Sequence, residues 1–340
     1  MYASLRGLFV SIHEVNSAAV KNEVDVQMKM WFLGTGAGRP SKYRNVTAMA
    51  LQLPEPHCSW LLFDAGEATQ HQIMSTSLKL NKLEFVFITH LHGDHIYGLP
   101  GLLSSRSFDG GITPVHLYGP AGIKRYIETI FSISATQLDY ELIIHEITGD
   151  EALIFEDGRF KVEARLLEHR IPSFGYRITE KDQPGKLLVN KLIELGVEAG
   201  PLYGRLKQGQ SITLADGSVV RSEEVTGPSY IGRIVTVLGD TKPCANANKL
   251  ALDADLLVHE ATFAAGMEEK AHEFGHCTTK EAAETAASAK AKHLVMTHFS
   301  GRYSNEDLSQ LEGEAALYFE PVTAARDLLQ VEVKRMSQRE

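Results

Sequence analysis

Apolar positions along the chain fall in short runs separated by glycine-rich turns and by stretches with helical spacing. MKMWFLG (28–34) before TGAGRP predicts a strand and a tight turn. CSWLLFDAG (58–66) predicts a second strand, with a helix in EATQHQIMSTSL, and KLEFVFIT (82–89) a third strand. IYGLPGLLSSRSF predicts a helix, PVHLYG a strand and AGIKRYIETIFSIS another helix. The stretches ELIIHEI, ALIFEDGRFKVEARLLEH and FGYRITE have a hairpin character with an Asp-Gly turn signal. Farther on, GRIVTVLGDT, DLLVHEATF and KHLVMTHFS predict strands, and NANKLALDA and TTKEAAETAASAKA predict helices. The last helix opens on a capping box of Thr278 and Glu281. Strands and helices in mixed order, without an internal repeat, indicate an α/β fold with some antiparallel sheet.

One segment breaks the pattern. Residues 181–210, KDQPGKLLVNKLIELGVEAGPLYGRLKQGQ, hold a short helical piece bracketed by Pro-Gly and Gly-Pro, and predict an arm inserted in a single domain spanning 28–335. Between Lys181 and Lys207 five basic residues stand against three acidic ones, a sign opposite to that of the whole chain. The first 27 residues are expected to be an appendage, disordered or the product of a start upstream of Met28 or Met30; they lack the basic start and cleavage site of a signal peptide.

Composition narrows the field further. A formal net charge of −9 excludes a global basic field, so any polyanion must be held by local patches or bound cations. Three widely spaced cysteines without a C-x-x-C pair fit a reducing, cytoplasmic setting. No apolar run approaches the roughly 18 residues of a membrane span.

The chemistry concentrates in FVFITHLHGDHIYGLPG (85–101), where His90, His92, Asp94 and His95 follow a strand-like run. His90 and His92, two apart, project to the same side of an extended segment, and Gly93 lets the chain turn so that Asp94 and His95 face a neighbouring position. Imidazole and carboxylate without thiolate suit Zn²⁺ first, with Mn²⁺ or Fe²⁺ as alternatives. Four groups cannot fill two coordination shells. His169, Asp240 and His298, each closing an apolar run, are the candidates to complete them at strand ends. His276, on a loop before a helix, is a candidate for chemistry, and His259 for a supporting place. His13, His57, His71, His116, His145, His272 and His293 have no supporting context.

FLGTGAGRP, NVTA, LFDAGEATQHQ, ITHLHGDHIYGLPGLL, LLEHRIPSFGYRI, LGDT, VHEATF and MTHFSGRY occur in the order and character of the tRNA 3′-processing endonucleases, ribonuclease Z, of the metallo-β-lactamase superfamily. The resemblance runs from Met30 to about residue 330. The H-x-H-x-D-H motif belongs to the whole superfamily; GTGAGRP, HEATF, SGRY and the arm are more specific. The resemblance implies an αβ/βα four-layer sandwich and a zinc-dependent endoribonuclease that removes 3′ trailers from precursor tRNA. It implies two Zn²⁺ per subunit, one on His90, His92 and His169 and the other on Asp94, His95 and His298, with Asp240 bridging. It also makes Asp94 the general base, His276 with Glu260 the proton donor, and the protein a homodimer whose arm grips the tRNA of the partner's site. Arg302 and Lys242 are candidates for phosphate contact. The leader and the HCTT that follows Gly275 depart from the family pattern. Other hydrolases of the same fold, acting on thioesters, arylsulfates or cyclic nucleotides, share the ligand set, and a silent RNA-binding scaffold would share the fold.

Overall fold

The computed structural model describes residues 27–54, 58–149 and 151–335; the leader up to residue 26, with His13, and His57 lie outside the described residues. The first six strands are β1 (Met28–Gly34), β2 (Ala48–Gln52), β3 (Trp60–Phe63), β4 (Leu83–Phe87), β5 (Val115–Pro120) and β6 (Leu142–Ile147). Then come β7 (Glu151–Glu156), β8 (Phe160–Leu167), β9 (Ser173–Glu180), the short pair β10 (Ile212–Thr213) and β11 (Val219–Val220), and β12 (Ile234–Val237). The chain closes with β13 (Leu256–Glu260), β14 (Leu294–Thr297), β15 (Val322–Ala324) and β16 (Leu329–Val333).

Two seven-stranded sheets share one plan. The first runs β16-β1-β2-β3-β4-β5-β6, the second β15-β14-β13-β12-β9-β8-β7. In each, four consecutive strands are parallel, β3 to β6 and β12 to β15, and the remaining pairings are antiparallel. The parallel strands are covered on both faces, which is why WLLF in β3 and LLVHE in β13 are buried throughout rather than alternating with polar residues. One face of each sheet meets the other: Met30, Phe32, Phe63, Phe85 and Phe87 pack against Phe160, Phe174, Tyr176, Val235 and Val258. The opposite faces carry helices. Leu62, Val86 and Ile88 meet Leu99, Leu102, Leu103, Ile123 and Ile127, while Leu257, Leu294 and Met296 meet Ala247, Leu250, Ala282, Ala286 and Leu311. The result is the four-layer helix–sheet–sheet–helix sandwich of the metallo-β-lactamase fold.

The helix over Thr279–Ser288 begins with both halves of the expected capping box, Thr278 and Glu281. Strands β2, β15 and β16 and the helices Glu268–Phe274 and Leu308–Ala316 have no counterpart in the elements expected from periodicity. Each is short, and β16 owes its extended form to pairing with β1, from Met28↔Val333 to Phe32↔Leu329, some 300 residues away.

The excursion between β9 and β12 runs past residue 210. Antiparallel bridges Gln183↔Tyr230 and Leu187↔Thr226 clasp its base, and a Cβ at Gly185 would lie 1.9 Å from the Gly227 carbonyl oxygen. Leu192, Val197, Leu206, Ile212, Val220 and Val225 form its own small core, so the β10–β11 hairpin and the helix Ser222–Val225 belong to it. Over the full 181–232 stretch basic and acidic residues are equal in number, six each, and the local positive excess disappears. Below the base, buried Glu180 takes a bidentate pair from Arg233, at 2.8 and 2.9 Å, and a third contact from Arg335 at 2.8 Å.

Candidate metal centre

The chemistry-bearing side chains gather at the carboxyl ends of the parallel strands, where open α/β sheets leave a crevice. Asp64 follows β3, the histidine motif follows β4, Asp240 follows β12, Glu260 ends β13, His298 follows β14, and His169 lies on the turn after β8. All seven residues expected to face metal converge. His92 Nδ1 lies 3.0 Å from His90 Nε2 and 3.2 Å from His169 Nε2. His298 Nε2 lies 3.3 Å from His95 Nε2 and 3.4 Å from Asp94 Oδ2. Asp240 Oδ2 stands between the two groups, 3.7 Å from His90, 3.6 Å from His95 and 3.3 Å from His298.

The outer ring nitrogens show what the inner ones carry. His95 Nδ1 meets the Asp64 carboxylate at 2.8 Å, and His169 Nδ1 meets the Gly275 carbonyl at 2.7 Å; both partners only accept, so both nitrogens donate. Thr89 spends its hydroxyl proton on Asp64 and Thr262 spends its own on Glu260, so each accepts from a ring, His90 Nδ1 at 3.0 Å and His298 Nδ1 at 2.8 Å. The Nε2 atoms of these four rings therefore face inward beside two carboxylates, and each offers a lone pair when its ring is neutral. Such an array needs positive charge at its middle, and its spacings bracket the roughly 3.3 Å edge of a tetrahedron of nitrogens about 2 Å from a zinc ion. The donor set fits divalent metal. Two groups of three, His90–His92–His169 and Asp94–His95–His298, each offer ligand atoms to a common point, and His90, His95 and Asp240 make a third group between them.

Electrostatics divide the cluster: burial opposes charge on His95, but the Asp240 and Asp64 carboxylates outweigh it and hold its pKa well above the ordinary imidazole value. Burial pushes His90, His92 and His169 toward the neutral form that ligates metal. Burial alone would raise Asp94 and Asp240, but the histidines facing them hold both carboxyls below their ordinary range. His276 lies beside this group, its Nδ1 2.9 Å from Glu260 Oε1 and 3.8 Å from Asp240 Oδ2. Burial works against its charge, yet the Glu260 carboxylate outweighs it and moves the imidazole pKa up to about 9. Glu260 is itself pinned by Thr241 N–H at 3.0 Å and by Thr262 N–H at 3.1 Å.

Other candidates fall elsewhere. Lys242 pairs with Glu168 at 3.7 Å, and Arg302 stacks over the Phe263 ring, 5.1 Å from its centroid. His259 is fully buried with Nδ1 on the Glu260 carbonyl and joins none of the donor groups. Sequence reasoning missed Asp64, Thr89, Thr262 and Gly38, whose N–H reaches Asp94 Oδ2 at 2.6 Å. The signal for Asp64 was its place directly after WLLF, a polar residue closing an apolar run. Asp64 and His298 also hold φ values of 57°, the left-handed conformation that costs an L-residue roughly 1–2 kcal/mol and that recurs at functional sites.

The comparisons with known proteins point the same way. A family profile described as anti-Pycsar protein Apyc1 matches residues 28–142, which hold β1 to β5 with the histidine motif and are less than half of the chain. Ribonuclease Z of Bacillus cereus is 53% identical over 308 residues, covering 91% of this chain and 100% of the relative. Human tRNase Z, short form, superimposes with a TM-score of 0.66 at 32% identity, covering 90% of this chain and 100% of that one. The metallo-β-lactamase fold protein YhfI from Bacillus subtilis, at 20% identity and a TM-score of 0.61, shares the fold over 90% of this chain and 99% of its own. A relative spanned from end to end at this identity, on a sandwich whose strand ends gather the donors described above, leaves one conclusion: the chain belongs to the ribonuclease Z family.

Proposed function

We propose that the seven donors hold two zinc ions, with Asp240 shared between them, and that this centre cuts precursor tRNA. The enzyme is a hydrolase of the ribonuclease Z family, a metal-dependent endoribonuclease that removes 3′ trailers and leaves a tRNA 3′-hydroxyl and a 5′-phosphorylated trailer. The observation that carries the assignment is the adjacency of a two-ion donor set and a carboxylate-paired histidine, within one crevice of a chain that also carries an independent folded arm. Bound divalent ions would supply an activated water and neutralise charge on the phosphate. The residues supply the rest. Asp94, fixed by the Gly38 N–H, orients the attacking water and accepts its proton. His276 is kept protonated by Glu260 and delivers its proton to the departing 3′ oxygen. Thr262 links the partner of His276 to the ring of His298, so one buried carboxylate sets both groups.

The arm is the reader of the substrate. Structured RNA is recognised by shape and backbone contact, which needs a few well-placed cations rather than a basic protein. Between Ala199 and Ala215 the only charges are Arg205 and Lys207, both exposed. In this reading the protein is a cytoplasmic homodimer, and the arm of one subunit holds the tRNA whose 3′ end enters the other's centre. No helix among the described residues is long and apolar enough to cross a membrane.

The test is incubation with a 3′-extended tRNA precursor and zinc, with Asp94→Ala alongside and both product ends mapped. A single cut beside the discriminator base, absent in the variant, is the expected result. Metal content of two per chain with hydrolysis of simple phosphodiesters but no cut in pre-tRNA would move the substrate to another class.

A further inference from the structure

His276 sits on a four-residue loop, Gly275 to Thr278, between the helices Glu268–Phe274 and Thr279–Ser288. Its backbone is pinned locally. Gly275 has φ of +82°, an added Cβ would meet His169 Nδ1 at 2.9 Å, and its carbonyl takes the His169 hydrogen bond. The His276 N–H closes onto the Ala271 carbonyl at 2.8 Å, and the Cys277 carbonyl accepts from Phe263 N–H at 3.3 Å. None of these contacts ties one flanking helix to the other.

Glu281 does. Its Oε2 accepts from Thr278 N–H at 2.9 Å and Thr278 Oγ1 at 3.0 Å, while its Oε1 lies 2.6 Å from His272 Nε2 in the last turn of the preceding helix. A capping box requires only the Thr278 contacts. The His272 contact adds a bridge across the loop, made on a carboxylate only 8% exposed. We propose that Glu281, acting through His272 and Thr278, is the positioning residue that holds His276 against the leaving oxygen. The proposal rests on the reading of His276 as proton donor and names what aims it.

Proton delivery is steep in distance, and a misplacement of about 1 Å can cost roughly 100-fold. Cutting the bridge should therefore show only where the leaving group needs its proton. The experiment compares zinc-loaded wild type with His272→Ala, Glu281→Ala and His276→Ala on pre-tRNA and on bis(p-nitrophenyl) phosphate, whose leaving group departs as a stable anion. His272→Ala leaves the cap intact, so it stays informative if Glu281→Ala folds poorly. The expected result is a fall of about tenfold or more in kcat on pre-tRNA for both bridge variants. KM and activated-ester hydrolysis stay within about twofold, and zinc content by mass spectrometry is unchanged. Equal losses on both esters, or no loss on pre-tRNA, would overturn it. If His276→Ala itself fails to separate the two esters, the donor reading falls and takes the proposal with it. If His276→Ala separates them and the bridge variants do not, the positioning proposal falls alone.

Discussion

In the donor centre, side chains from four distant places in the sequence converge, and the rings of His90, His95, His169 and His298 are each braced by a partner behind them. The arm is the opposite kind of object: one contiguous stretch that folds around Leu192, Val197, Leu206 and their neighbours and is clasped at a narrow base. The centre draws on both sheets; the arm draws on itself. Chemistry and substrate reading should then be separable by mutation, and the predictions below try to force the two apart.

The largest effect belongs to Asp240, whose Oδ2 lies within 3.8 Å of four histidines. Asp240→Asn should lower both pre-tRNA cleavage and activated-ester hydrolysis more than about 1,000-fold, and zinc per chain should fall. Activity within tenfold of wild type would remove Asp240 from the centre. Next comes excision of the arm at its clasp, joining Gln183 to Tyr230 by a short Gly-Ser link where the bridge already holds the ends together. We expect a drop of about 100-fold or more in kcat/KM on pre-tRNA with activated-ester hydrolysis retained; parallel losses would make the arm part of the fold rather than of recognition. Mixing arm-deleted chains with Asp240→Asn chains tests the trans arrangement. Statistical pairing of protomers should restore about a quarter of wild-type cleavage, whereas an arm that serves its own subunit restores nothing.

The neck should show itself in stability. Burial of the Glu180 carboxylate would raise its pKa, but Arg233 and Arg335 hold it lower. A carboxyl lowered in the folded state stabilises above its unfolded pKa, roughly 4.3, and that contribution is lost as pH falls through the folded value. Glu180→Gln should cost about 3 kcal/mol at neutral pH by denaturant melting, with the gap narrowing below about pH 4. A gap that stays constant to pH 3 would deny the ion pair its role. The smallest effects belong to Arg205→Ala and Lys207→Ala, each expected to raise KM for pre-tRNA a few-fold and to reduce the salt slope by about one. An unchanged slope would place the tRNA elsewhere.

Much of the candidate centre was legible because its donor residues sit where apolar runs end, and runs such as KLEFVFIT and KHLVMTHFS are easy to see. Asp64 was harder, since one carboxylate in LFDAG carries no spacing to mark it and only its 2.8 Å contact with His95 gives it meaning. His272 was read as having no context; its partner Glu281 was visible as half of a capping box, but the second use of that carboxylate exists only in three dimensions. The arm's start was legible from Pro-Gly and Gly-Pro. Its end was not, because Ile212, Val220 and Val225 join its core by packing that leaves little periodicity in so short a stretch.

The pairing of β16 with β1 bears on how the protein is made. During synthesis the outer edge of β1 stays bare until residues 329–333 have been added, and His298 arrives only shortly before them. The histidine motif near residue 90 therefore waits for the last of its donors, His298, while more than two hundred further residues are translated. A nascent chain of this topology cannot gather its donor residues early, and a nuclease built this way completes its candidate metal centre only when nearly the whole chain is in place.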